Sequence, residues 1–317
     1  MKPPFPRDTL WLVSGTYTLL VAASIITALL RRWQDPDRQN PVFNNLAARV
    51  RAWWIMVLIF TTALAVGKVG TLVLFALVSF LAFREFITLT PTRPGDHHAL
   101  SLTFFIALPL QYFLIYIEWY GLFSIFIPVY AFILFSIRSA AAGDPADFLA
   151  RTGKLQWGLM ACIYFVSYVP ALLTLPIPGF EGRNANLLFF LVAVVQLSDV
   201  LQYVWGKLLG KHPIAPTLSP HKTLEGFVGG TASAAAIGAG LWWATPFRPW
   251  QAALLGAVIT LFGFFGGLVM SAIKRDRGVK DYGNLLAGHG GILDRVDSLC
   301  FAAPLFFHLV RQFFVPD

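Results

Sequence analysis

Apolar runs of roughly 20 residues recur along this chain with almost no charge inside them, and a helix of that length and character can cross the hydrocarbon core of a bilayer. Ten can be read: 9–30, 52–67, 69–83, 99–117, 119–137, 155–175, 186–205, 225–244, 250–273 and 297–313. Backbone inside lipid must satisfy its own N–H and C=O groups, so these runs have to be helices rather than open strands. The expected fold is all-α, a polytopic integral membrane protein with about ten transmembrane helices. Composition excludes the soluble alternative. Hydrophobic residues fill 57% of the 317 positions, charged residues only 13%, and mean hydropathy is +0.66. Soluble domains carry about 25% charged residues.

Several local features refine this picture. The first run is longer than a signal-peptide core, has no small-residue cleavage pattern and ends in Arg31-Arg32, so it reads as a retained anchor. The second and third runs are short and separated by Gly67-Lys68-Val69-Gly70, which leaves a tight hairpin or one broken segment open. Cys162 and Cys300 both lie in apolar stretches, so neither a disulfide framework nor a thiolate metal site is expected. No repeat period stands out. Organisation divides at the onset of polar motifs, into an N-terminal transmembrane region 1–185 and a C-terminal region 186–317.

Orientation follows from Lys and Arg, which concentrate in cytoplasmic loops. With ten spans, 18 of the 24 fall on one side, including Arg31, Arg84, Arg138, Lys211, Lys222, Lys274 and Lys280, and 6 on the other. Both termini should therefore lie outside and the motif-bearing loops in the cytoplasm. A net charge of +8 then describes a basic cytoplasmic face, attractive to anionic lipid and nucleotide phosphate. Nucleic acid is a poor partner, because no basic stripe is interleaved with aromatics.

Two polar constellations break the apolar pattern. At the end of the seventh run, Asp199, Gln202, Tyr203 and Gly206 recur at helical spacing and share a face. A carboxylate at that depth is costly and usually marks a site. The next loop reads Ser219-Pro220-His221-Lys222-Thr223-Leu224-Glu225-Gly226. Ser219 as N-cap and Pro220 at the first helical position predict a helix start there. Lys222 would then oppose the helix dipole unless an anion occupies that end. The second constellation runs from Ser271 to Ser298. Ser271, Lys274 and Arg275 share a face at the end of the ninth helix, and His289 sits among glycines before a tenth helix beginning near Asp294. Asp294 and Asp297, three residues apart, lie on one side of that helix. Paired carboxylates with room for water and phosphate oxygens suit magnesium.

From Ser271 to Asp297 the chain resembles the phosphatidate cytidylyltransferase (CDP-diacylglycerol synthase) family, whose signature is similar to S-x-x-K-R, four residues, K-D-x-G, then P-x-H-G-G-x-x-D-R-x-D. Asp199, Tyr203, Gly206 and the Ser219–Gly230 block match that family's upstream pattern. The resemblance covers about 186–317. It implies attack of phosphatidate on the α-phosphorus of CTP with release of pyrophosphate, Mg²⁺ as cofactor, a homodimer, and residence in a bacterial inner membrane. On this reading Lys222, Lys274, Arg275, His289 and Arg295 act on phosphates or nucleotide. Asp199, Gln202, Tyr203, Ser219, Pro220, Thr223, Glu225, Ser271 and Lys280 line the substrates. Asp294 and Asp297 hold the metal, with Asp281 or Asp199 as further ligands.

There are departures. Ala287 stands where the family usually has Pro. More consequentially, Gly266-Gly267-Leu268-Val269-Met270-Ser271 stands where the family commonly reads G-D-L-x-E-S, so Gly267 replaces a metal-binding aspartate and Met270 a glutamate. Two alternatives stay open: a CTP-dependent lipid kinase, and a catalytically degraded relative. A transporter is disfavoured, because neither inverted repeats nor broken midplane helices are evident.

Overall fold

The computed structural model describes residues 6–34, 40–283, 285 and 290–316. Among the described residues run ten helical rods, one in each apolar run: α1 (Arg7–Gln34), α2 (Pro41–Val66), α3 (Lys68–Thr88), α4 (Pro94–Tyr116), α5 (Tyr120–Ala140), α6 (Phe148–Thr174), α7 (Ala185–Leu209), α8 (Leu224–Gly240), α9 (Pro249–Asp276) and α10 (Leu293–Phe314). Eight of these are long and apolar enough to cross a membrane. The other two differ for visible reasons. α8 has only 17 residues, and α10 carries Asp294, Arg295, Asp297 and Arg311. Both pack between neighbours, α8 against α7 and α9, and α10 against α9 and α6.

Helix ends overshoot the apolar runs. The second and third runs become helices of 26 and 21 residues, because polar ends such as Asn44, Arg49 and Arg51 continue the helix beyond the apolar stretch. Gly67, at φ +90°, lets α2 and α3 turn back as a tight hairpin, which decides between the two readings of that segment. α1 and α2 are peripheral, with Trp11 70% and Ile55 57% exposed. The centre is built on α6 and α10, where Tyr168, Phe306, Phe307 and the free thiols of Cys162 and Cys300 are all buried.

Small residues set how closely the C-terminal helices approach. A Cβ on Gly230 would lie 2.3 Å from Gln202 Cγ, and one on Gly226 would lie 2.7 Å from the Gln202 carbonyl oxygen, so α8 rests directly on the backbone of α7. On its other side, a Cβ on Gly256 would lie 2.8 Å from the Ala234 carbonyl oxygen, which brings α9 equally close. These contacts place the ends of α7, α8, α9 and α10 together.

The segment before α8 corrects one expectation. Ser219 and Pro220 do not start a helix; Ser219–Thr223 is strand β2, paired antiparallel with β1 (Pro213–Ala215). The helix begins at Leu224, and Thr223 is its N-cap, with its hydroxyl accepting from the Gly226 N–H at 3.2 Å. Hairpin pairing satisfies this backbone before the helix begins, and a capping hydroxyl is available at Thr223 as well as at Ser219. Lys222 therefore precedes the helix and escapes the conflict with its dipole.

Candidate active site

Three polypeptide ends meet at one end of the bundle: the last turns of α7, the β2–α8 junction, and the α9–α10 turn. Asp294, at the start of α10, is buried. Its Oδ1 accepts from Lys274 Nζ at 2.8 Å, with side-chain exposures of 2% and 12%. Its Oδ2 accepts the N–H groups of Tyr282 at 2.8 Å and Gly291 at 3.0 Å. The Tyr282 ring lies 5.3 Å from the same ammonium, and its hydroxyl donates to the Met270 carbonyl at 2.9 Å. Asp294 thus ties the turn before α10 to the end of α9.

Lys222 enters from the hairpin. Its ammonium lies 4.8 Å from the Phe264 ring centroid and 3.5 Å from the Phe264 carbonyl oxygen. Burial, and then the like charge of Lys274, push the Lys222 pKa below its usual value; the negative charges of Asp297 and Asp199 oppose that shift. Asp199 also interacts with the Ser298 side chain and with Arg295. Asp297 accepts the Ser298 N–H at 2.8 Å through one oxygen. A Cβ on Gly267 would lie 2.7 Å from Lys222 Nζ and 3.5 Å from Ser298 Oγ. Position 267 therefore opens onto the centre of this cluster.

The cluster joins Asp199, Lys222, Lys274, Asp294, Arg295 and Asp297 from the residues singled out in the sequence. Others are placed differently. Arg275 donates to the carbonyl oxygens of Leu218 at 3.3 Å and Val279 at 3.1 Å, bracing the hairpin turn. Glu225 accepts the N–H groups of Lys211 and His212 and pairs with His212 Nδ1 at 2.5 Å, closing the hairpin base. Thr223 caps α8 and Ser271 bonds back to the Gly267 carbonyl at 2.7 Å. Gln202 packs under Gly230. Tyr203 shares the sequence face of Asp199 yet is 61% exposed, with Lys207 6.0 Å over its ring. Ser219 is half-buried in β2, whereas Pro220, Lys280 and Asp281 are exposed. His289 and Ala287 lie outside the described residues.

Two contributors had no role assigned from the sequence. Ser298, next to Asp297, reaches Asp199 from α10. Glu85, at the end of α3, accepts the N–H groups of Ile292 and Leu293, each at 2.9 Å. The signal for Glu85 was a carboxylate at the end of an otherwise apolar run, the same criterion that drew attention to Asp199.

Magnesium can be held by one or two carboxylates together with substrate phosphates and water. Among the described residues no group of three or more His, Cys, Asp or Glu side chains gathers as a metal cage. Asp199 and Asp297, hard oxygen donors whose charges both act on Lys222, fit the sparser arrangement. Asp294 is engaged by Lys274 and two backbone amides.

Residues 47–313 match the cytidylyltransferase family, so the similarity begins well ahead of the motifs after residue 186. The chain is 39% identical over 299 residues to the Escherichia coli (strain K12) protein named "Uncharacterized protein YnbB", covering 93% of this chain and 96% of that one. It is 33% identical over 269 residues to a phosphatidate cytidylyltransferase of Staphylococcus haemolyticus (strain JCSC1435), covering 81% and 96%. It is 42% identical over 137 residues to a phosphatidate cytidylyltransferase of Staphylococcus aureus (strain COL), covering 42% of this chain and 53% of that protein.

Proposed function

The chain belongs to the cytidylyltransferase family, and we propose that it transfers the cytidylyl group of CTP to phosphatidate, yielding CDP-diacylglycerol and pyrophosphate. A phosphatidate oxygen bonds to the α-phosphorus of CTP as the bond to the β-phosphate bridge oxygen breaks. The attacking phosphomonoester has a second pKa of about 6 and is already mostly ionised near neutrality, so it needs no strong general base. The demand is to bring two anions together and stabilise the charge of the leaving pyrophosphate. The observation that supports this chemistry is the meeting of Lys222 and Lys274 with Asp199, Asp294 and Asp297 at one end of the bundle.

In this reading Lys222 and Lys274 neutralise phosphate oxygens, and Arg295 contributes a further cation beside Asp199. Magnesium would be held by Asp297 and Asp199, supplying charge neutralisation at the phosphates. Asp294 orients Lys274 through its Oδ1 and would add negative charge beside the metal. We further place the site at the cytoplasmic face of a bacterial inner membrane, on the strength of the Lys and Arg distribution, and take the protein as a homodimer by analogy with the family.

The decisive experiment incubates purified protein with phosphatidate, CTP and Mg²⁺ and measures CDP-diacylglycerol and pyrophosphate. Formation of both supports the reading. CDP with a phosphorylated lipid would instead indicate γ-phosphoryl transfer, and no turnover would indicate a relative that has lost catalysis.

A further inference from the structure

Glu85 stands one turn from the end of α3, in a region of the sequence that otherwise supplies apolar surface. A carboxylate there meets the negative end of its own helix dipole, so α3 itself gives it no support. Support comes from a chain segment more than 200 positions away. Oε1 accepts the N–H of Ile292 and Oε2 that of Leu293, each at 2.9 Å. These are donors at the start of α10, and the first amides of a helix have no acceptor within the helix.

The fit around the carboxylate is close. A Cβ on Gly291 would lie 2.3 Å from Glu85 Oε2, and one on Gly283 would lie 2.8 Å from Oε1. Neither glycine could carry a side chain while Glu85 occupies this place. The neighbouring amides of Tyr282 and Gly291 go to Asp294. Four amides, those of Tyr282, Gly291, Ile292 and Leu293, are therefore shared between two carboxylates, one from α3 and one from α10. The same turn presents Asp294 to Lys274 and, one helical turn on, carries Asp297, whose charge acts on Lys222.

We propose that Glu85 is a positioning residue for cytidylyl transfer: it fixes the N-terminus of α10 so that Asp294 and Asp297 hold their places opposite Lys274 and Lys222, and Gly283 and Gly291 are glycines because its carboxylate lies between them. This rests on the function proposed above. Glu85 contacts no reacting atom; its effect passes through the amides of Ile292 and Leu293.

The test uses the full chain in lipid nanodiscs, with Glu85→Gln, Glu85→Ala, Gly291→Ala and the Glu85→Ala/Gly291→Ala double variant. Amide hydrogen exchange over residues 290–299 is measured without substrate, and kcat and KM for CTP are measured per folded protein. In Glu85→Gln one acceptor oxygen becomes an NH₂ group facing an N–H. Exchange at 292 and 293 should accelerate, and kcat should fall by about 100-fold, the cost of an ångström-scale misplacement of catalytic groups, with KM for CTP changing far less. Gly291→Ala should reproduce the loss by expelling the carboxylate, and the double variant should be no worse than Glu85→Ala alone. If Glu85→Gln does not fold, the Gly291→Ala and double-variant comparison carries the same test. Wild-type kcat in a folded Glu85→Gln protein, unchanged exchange at 292 and 293, or fully additive losses in the double variant would overturn the proposal. A wild type that makes no CDP-diacylglycerol would remove the reaction itself, whereas an active wild type with an unaffected Glu85→Gln removes only the role of Glu85.

Discussion

Replacing Gly267 by Asp puts a carboxylate where the family pattern commonly has one, and the local geometry sets what should follow. The new Cβ would meet Lys222 Nζ at 2.7 Å and Ser298 Oγ at 3.5 Å. The nearer atom is the tip of a flexible side chain and can retreat. The adjacent Gly266 is different, since a Cβ there would lie 2.6 Å from the Phe301 ring. Without metal, the added charge joins Asp199 and Asp297 around one ammonium. Two unit charges about 5 Å apart interact by about 3 kcal/mol at an effective dielectric of about 20. Two repulsions against one attraction leave about 3 kcal/mol unfavourable, and metal-free protein should melt at lower temperature. That penalty stands with or without metal and cancels from binding, whereas a divalent cation gains up to about 6 kcal/mol from the same carboxylate. Solvent and substrate phosphates screen most of this, and the half-saturating Mg²⁺ concentration should still fall by at least about tenfold. The assay is CDP-diacylglycerol formation against Mg²⁺ concentration at fixed CTP, with melting temperature measured with and without metal. Gly267→Asn serves as the control of equal volume. An unchanged half-saturating Mg²⁺ concentration in folded Gly267→Asp protein would refute the claim that position 267 opens onto the proposed metal site.

Three further outcomes are expected. Asp297→Asn should fold with near wild-type stability and lose cytidylyl transfer, as read by CDP-diacylglycerol yield, whereas Asp294→Asn should also destabilise by about 3 kcal/mol, because Lys274 loses the partner of an enclosed ion pair. Single cysteines at positions 211 and 280, in a background lacking Cys162 and Cys300, should resist impermeant thiol reagents in intact cells, and labelling from outside would overturn the assigned orientation. Gly230→Val should cost about 3 kcal/mol in thermal stability, because its side chain would be driven into Gln202, where even a Cβ would stand 2.3 Å from Cγ.

Much of the architecture was legible because a bilayer leaves the backbone few options. Every apolar run became a helix, including the two that fall short of a membrane span by length or charge, α8 and α10. What the runs did not reveal was where helices end. α2 begins at Pro41, well before its apolar stretch, because Asn44, Arg49 and Arg51 continue the same helix without contributing hydropathy. The β1–β2 hairpin was hidden for another reason. Ser219-Pro220 and Thr223 are both acceptable helix starts, and the choice between them depends on pairing with Pro213–Ala215, a tertiary fact.

The site was legible in proportion to how local its logic is. Asp199 was found from charge placed where apolar residues dominate, Lys222 from its place beside an expected helix start, and Lys274, Asp294 and Asp297 from helical spacing, and all five come together. Helical periodicity was less informative at Tyr203, which keeps the predicted spacing from Asp199 but points outward, because the face shared on paper is divided between α8 and the outside of the bundle. Arg275 and Glu225 carried the same charge signal as the converging residues, yet both are used to hold the hairpin: Arg275 through the Leu218 carbonyl and Glu225 through the amides of Lys211 and His212. Free backbone groups at helix and strand ends compete for charged side chains as effectively as substrates do, and sequence records only the charge. Glu85 shows the same competition across 207 positions, where a carboxylate from one half of the chain satisfies amides that the other half leaves open. The two glycines of the α9–α10 turn that face it, Gly283 and Gly291, are then as much a consequence of α3 as of the turn they occupy.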